Sequence, residues 1–216
     1  MTFMDNQRGK FISFEGGDGV GKTTQINLAC QHVKKLGHTP VVTREPGGTM
    51  LSEQIRDLVL KSSAGITPIT EVLMMFAARA QHTSEVIEPD LAAGKWVLCD
   101  RFTDASYAYQ GGGRGLPDEL IEVLAEIATN GLEPDLTLLL DLDVEEGVRR
   151  SHLRDSPLDR FESEAIEFKN RIRAAYLKRQ NHNSTRIVLV DAAQSIQEIQ
   201  SEIATQIDNL HAKSHG

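Results

Sequence analysis

Gly16-Gly17-Asp18-Gly19-Val20-Gly21-Lys22-Thr23 follows the apolar run Phe11-Ile12-Ser13-Phe14 and matches G-x-x-x-x-G-K-[ST]. A strand before this pattern and a helix after it are the context the pattern requires. Glycines let the backbone fold back and aim its N–H groups inward, and the helix N-terminus adds positive potential. Lys22 reaches the β- and γ-phosphates of a bound nucleotide, the Thr23 hydroxyl ligates Mg²⁺, and Thr24 touches the α-phosphate. Residues 16–24 (Gly16, Gly17, Asp18, Gly19, Val20, Gly21, Lys22, Thr23, Thr24) are therefore expected to bind the phosphates of a nucleotide.

Working outward, four more apolar runs resemble the first: PVVT, WVLCD, LTLLLD and RIVLVD. They are apolar on successive residues, as strands covered on both faces must be. Helical spacing separates them, over 23–36, 50–60, 69–91, 118–129, 144–153, 162–179 and 196–210. This alternation predicts an α/β domain of the P-loop NTPase fold: a five-stranded parallel sheet, covered by helices on both faces. Each run ends in polar residues: Glu15, Arg44-Glu45, Asp100-Arg101, Asp141 and Asp191. Ligands of open α/β sheets bind at the carboxyl ends of strands, so one crevice is expected there.

The chain of 216 residues fits a single domain with a short lid. A net charge of −8 argues against nonspecific binding of nucleic acid or membranes. No apolar run approaches a membrane span, and the start lacks the apolar stretch of a secretion signal. The two cysteines, Cys30 and Cys99, form no disulfide framework, which suits a reducing, cytoplasmic setting.

Two strand-end carboxylates are candidates for the metal, Asp100 and Asp141. Asp100 is favoured because Arg101 beside it brings a phosphate-seeking guanidinium to the same place. Transfer to a small acceptor needs a second anion pocket, and Arg44, Arg79 and Arg101 are candidates to line it. Phe76 and Arg79 lie three apart and share a helix face, pairing a ring with a hydrogen-bonding fork. Taken alone, the favoured reading of this pair is a core phenylalanine next to a surface arginine.

The sequence resembles the bacterial thymidylate (dTMP) kinases. The matching segments are FEGGDGVGKTT (14–24), TREPGGT (43–49), EVLMMFAARAQH (71–82), DRF (100–102), AYQGGGRG (108–115), PDLTLLLD (134–141) and LDRFE (158–162). They run in order across most of the chain. The resemblance implies ATP-dependent phosphorylation of dTMP to dTDP by a homodimer. It implies that Asp18 bonds the sugar 3′-hydroxyl and that Arg44 and Arg101 hold the acceptor phosphate. Phe76 would stack on thymine, Arg79 bond a base carbonyl, and Ser106 read the pyrimidine edge. Tyr109 would pack under the sugar, Gln110 help at the acceptor, and Glu45 hold an arginine or a metal-bound water. Because the phosphate loop has no basic residue between Gly16 and Lys22, the lid over 149–160 would supply the catalytic arginine. Arg154 is the first choice and Arg150 the second. The expected catalytic set is thus Lys22, Arg101, Arg154, Arg150 and Asp18. Other readings remain open on the residues: a deoxynucleoside kinase, which would need a carboxylate base such as Glu15 or Asp100, or a nucleotide-binding switch without an acceptor.

Overall fold

The computed structural model describes residues 8–62, 65–153 and 159–213. Five parallel strands, β1 (Phe11–Glu15), β2 (Pro40–Arg44), β3 (Trp96–Asp100), β4 (Leu136–Asp141) and β5 (Ile187–Asp191), form one sheet in the order β2-β3-β1-β4-β5. β1 is central, pairing Phe14 with Asp100 on β3 and with Leu138 on β4. All five of its residues are buried. Covering Phe11, Ile12 and Phe14 in this way stabilises the fold by about 1.5–3 kcal/mol each.

Both faces of the sheet are covered, which explains the unbroken apolar runs. On one face Ile12, Phe14, Leu98, Leu138 and Leu140 pack under α1 (Lys22–Lys35) and α9 (Ile196–Ala212). On the other, Phe11, Val97 and Cys99 pack with Ile87, Leu91 and Phe102, and Leu139 and Ile187 with Phe168, Ile172 and Tyr176 of α8 (Ile166–His182).

Thr49 caps α2 (Met50–Lys61) by accepting from the Ser52 amide. The expected helix over 69–91 is three segments: α3 (Pro68–His82), a π-helical turn over Thr83–Ile87, and α4 (Glu88–Ala92). Pro89 lacks an N–H and its ring collides with the carbonyl four residues back, so regular α-helix does not run through it. A helical stretch that periodicity did not indicate follows β3: α5 (Thr103–Ser106) continues as a π-helix over Tyr107–Gly113. Its glycines permit close packing on α8. A Cβ on Gly112 would lie 2.4 Å from the Ala175 Cβ, and one on Gly113 2.7 Å from the Phe168 ring.

Two helices complete the fold before α8: α6 (Asp118–Thr129) and α7 (Val144–His152). α8 starts four residues later than its spacing suggests, because Asp159 Oδ1 accepts from the amides of Phe161 and Glu162 and holds a turn there. Among the described residues no helix is long and apolar enough to cross a membrane.

Candidate active site

The phosphate loop joins β1 to α1 and bends at Gly16, Gly19 and Gly21, all at positive φ. Gly19 also has no room for a side chain: a Cβ would lie 2.1 Å from the Gly147 carbonyl oxygen of α7. Lys22 Nζ folds over the loop, donating to the carbonyls of Gly17 (2.9 Å) and Gly16 (3.3 Å). Burial, then the nearby Arg101 charge, pulls its amine down to about 8. A cation so destabilised has room for an anionic partner. Thr23 and Thr24 are exposed at the mouth of the same pocket, whose walls include Asp18, Arg56, Asp100, Arg101 and Arg150.

Arg101 is the hinge between this pocket and a second cleft. It follows β3 with φ 71°, a conformation that costs a non-glycine residue about 1–2 kcal/mol. The strand ends over-determine it, since its amide donates to the Phe14 carbonyl at 2.9 Å. Its guanidinium donates to the Gly16 carbonyl (2.9 Å) and Tyr176 Oη (3.1 Å) through Nη1. Through Nη2 it donates to Tyr109 Oη (2.9 Å) and Asp18 Oδ1 (3.4 Å). Tyr176 in turn donates to Glu15 Oε2 at 2.7 Å, and Glu15 Oε1 accepts from the Phe102 amide at 2.7 Å. Burial, then the Asp104 charge, raises the Glu15 carboxyl to about 8. Glu15 thus acts as a wholly buried brace for Tyr176 and, through it, for Arg101.

The second cleft is lined by Asp18, Arg56, Arg101, Asp159, Tyr109 and Gln110, with Met75 and Phe161 as apolar walls. It shares Asp18, Arg56, Arg101 and Asp159 with the phosphate pocket. The two spaces therefore meet at one set of charged side chains.

The structure brings some of the expected residues to the cleft and not others. Phe76 is 3% exposed and packs with Val72 and Ile121, away from the cleft. Met75, one residue earlier, lines it, because a shift of one residue turns a helical side chain by about 100°. Phe76 instead supports Arg79, whose guanidinium carbon lies 4.7 Å above the ring centroid. Arg44 does not line the second cleft: it pairs with Glu53 at 3.0 Å on an exposed face and lines a depression that meets the phosphate pocket at Thr23 and Asp100. Arg56, midway along α2, lines the cleft instead. Burial and then the Arg44 charge lower its pKa, the mark of a cation short of counter-charge.

Ser106 is completely buried behind Arg79, accepting from its Nη1 at 2.9 Å, rather than facing the cleft. Glu45 holds an arginine: its Oε2 accepts from Arg79 Nε at 2.6 Å while Oε1 bonds His82 Nδ1 at 3.0 Å. Of the two metal candidates, Asp141 is occupied by Arg173 in a bidentate pair of 2.8 and 2.9 Å. Asp143, two residues on, caps α7. Asp100 Oδ1 is buried without a hydrogen-bond partner among the described residues and faces the pocket that holds Thr23, so this pair fits a divalent cation. Arg150 reaches the phosphate pocket from α7, fixed by Glu146 (2.7 Å) and the Ala192 carbonyl (3.0 Å). Arg154 lies outside the described residues.

Arg56 and Met75 line the cleft without having been expected there. Arg56 carries no local signal, since an arginine on an amphipathic helix ordinarily faces water. Met75 sat within a quoted motif, yet only the helix's rotation about its axis selects it over Phe76.

A phosphate loop at the end of a central parallel strand, facing a second cleft across shared arginines, defines a P-loop nucleotide-binding α/β protein with an acceptor site. A family model described as thymidylate kinase matches residues 14–203. Among curated relatives, the thymidylate kinase of Paraburkholderia phytofirmans is 53% identical over 201 residues, covering 91% of this chain and 96% of that one. The thymidylate kinase of Chromobacterium violaceum is 48% identical over 204 residues, covering 94% and 96%. The crystal structure of thymidylate kinase from Ehrlichia chaffeensis superposes with a TM-score of 0.77 at 31% identity, over 93% of this chain and 99% of that one. The chain belongs to the thymidylate kinase family.

Proposed function

We propose that this protein transfers the γ-phosphoryl group of ATP to dTMP, giving ADP and dTDP. The observation that carries the reading is the pair of anion pockets sharing Asp18, Arg56 and Arg101. A hydrolytic switch needs only the first pocket. In the second, Arg56 and Arg101 hold the acceptor phosphate, and Asp18 accepts from the sugar. Tyr109, its hydroxyl tied to Arg101 and its ring packed edge-on against Phe161, sits under the deoxyribose. Met75 covers the base. Arg79 uses three of its five N–H groups on Glu45, Ser106 and the Phe102 carbonyl, leaving two for a base carbonyl.

No general base is required, because the acceptor oxygen is already anionic. The chain's task is to position two phosphates in line and compensate their charge. Lys22 moves from the loop carbonyls to the β- and γ-phosphates. Arg150 approaches the transferring group from α7. Thr23 and Asp100 are the residues that would hold Mg²⁺, which supplies neutralisation of the bridging phosphate oxygens.

The exposed apolar residues Leu73 on α3 and Val123 and Ile127 on α6 lie beside the seam where Val72, Phe76 and Ile121 join the two helices. They provide the face for a homodimer. The cytoplasm is its proposed location, consistent with the two free cysteines.

A coupled ADP-release assay tests the transfer, with dTMP, thymidine, dUMP, dCMP and AMP as acceptors. ADP formation that depends on dTMP is expected. Release independent of any acceptor would refute the reading.

A further inference from the structure

Gln110 is completely buried, yet lines the acceptor cleft. Its Nε2 donates to Glu71 Oε1 at 2.9 Å, whereas its Oε1 is buried without a partner among the described residues. A buried acceptor left unpaired is destabilising, so this oxygen awaits a donor.

A carboxamide has two orientations, and the partner of one end decides which end faces the cleft. Here that partner is Glu71, wholly buried in the first turn of α3. Two guanidiniums close on it: Arg114 Nε at 3.2 Å and Arg160 Nη2, with Arg160 itself anchored to the Val59 carbonyl at 2.9 Å. Flanked by two cations, the carboxylate only accepts hydrogen bonds. It therefore holds the amide NH₂ toward itself and turns the carbonyl oxygen to the cleft. Flipping the amide would set oxygen against carboxylate.

We propose that Glu71 is a positioning residue for pyrimidine selectivity, locking Gln110 as a hydrogen-bond acceptor toward the base. The inference rests on the transfer to dTMP proposed above. Thymine and uracil offer a donor at N3–H, while cytosine offers an acceptor there. The locked oxygen matches the first two bases and repels the third. Arg114 and Arg160 are the outer supports of the same lock, and Arg114 is further tied to Glu164 at 2.6 Å.

The test compares kcat/KM for dTMP and dCMP in the wild type and in Glu71→Gln, alone and combined with Gln110→Leu. A glutamine at position 71 can donate as well as accept, so Gln110 is free to turn its NH₂ to the base. The dTMP-to-dCMP ratio of kcat/KM should fall about tenfold or more, the size of one buried hydrogen bond. The KM for dCMP should fall as well, a gain that a weakened fold does not produce. In the Gln110→Leu background the substitution at 71 should leave the ratio unchanged. Glu71→Asp keeps the charge facing Arg114 and Arg160 but withdraws the carboxylate from Gln110. It should lower the ratio in the same direction and serves if Glu71→Gln does not fold. An unchanged ratio in a folded variant, or an equal change in the Gln110→Leu background, overturns the proposal. Wild-type turnover of dTMP separates the two readings: if it is absent, the transfer itself falls and takes this inference with it. If it is present with an unchanged ratio, the role of Glu71 falls alone.

Discussion

Lys22 shows how a single side chain is prepared for its task. Its amine rests on two loop carbonyls and is depressed by burial and by Arg101, so an incoming triphosphate relieves the strain rather than adding to it. Lys22→Ala should lower kcat by about a thousandfold or more, the loss expected for removing preorganised charge at the transferring group, while a thermal melt shows the fold intact. Arg56 and Arg44 give a paired comparison: Arg56→Ala should raise KM for dTMP about tenfold or more, whereas Arg44→Ala, already spent on Glu53 at the surface, should change it little. Steady-state kinetics on the two variants separates them. Glu15 leaves a signature in stability. Its folded pKa, about 8, lies above its unfolded value of 4.5, so the folded chain binds the extra proton between those limits. Its contribution is complete below about pH 4.5 and is lost as pH rises toward about 8. Denaturant titrations of Glu15→Gln should therefore show a flatter fall in stability over that window than the wild type shows.

At the scale of elements, α7 is held against the phosphate loop by two facing glycines. A Cβ on Gly147 would lie 2.6 Å from the Asp18 carbonyl oxygen, and one on Gly19 would strike Gly147 in return. This approach lets Arg150 reach the phosphate pocket while Asp18 stays within reach of Arg101. Gly147→Ala should displace the loop rather than unfold the helix, for which alanine is the better former. We expect a drop in kcat/KM for both ATP and dTMP of about tenfold, with helical content by circular dichroism unchanged; unaltered kinetics would mean the contact has no bearing on the loop. The glycine-rich stretch over Tyr107–Gly113 works similarly, bringing Tyr109 and Gln110 to the cleft by letting the backbone lie close to α8. Neither contact was visible from periodicity. A glycine run suggests a loop until the opposing helix shows why side chains are excluded.

For the whole molecule, the sheet order brings the ends of β1 and β3 side by side, and with them Lys22, Asp100 and Arg101. The opposite side of the α3 and α6 pair is left with Ile127 at 75% exposure and Val123 at 57%. Removing such a patch from water drives association. Ile127→Glu should convert a dimer to a monomer in multi-angle light scattering, and a wild type already monomeric would refute the assembly. The same pair of helices carries Met75 toward the cleft and Phe76 toward α6, so dimerisation would stiffen the wall of the acceptor site.

The strand runs, the phosphate loop and the catalytic neighbours adjacent to it were legible from the chain because each is a local pattern. A strand hidden on both faces is apolar throughout, and a loop that wraps phosphate requires glycines at set intervals. The motifs beyond the loop pointed in the same way to Arg101, Tyr109 and Gln110, which line the second cleft. Tertiary structure alone decided which residues line the cleft, Met75 and Arg56 rather than Phe76 and Arg44, and which carboxylate keeps an unpaired oxygen among the described residues, Asp100 rather than Asp141. The reason is physical. Rotation of a helix about its axis and the pairing of distant charges, such as Arg173 with Asp141 or Arg160 with Glu71, depend on elements far apart in the chain, and no local spacing records them.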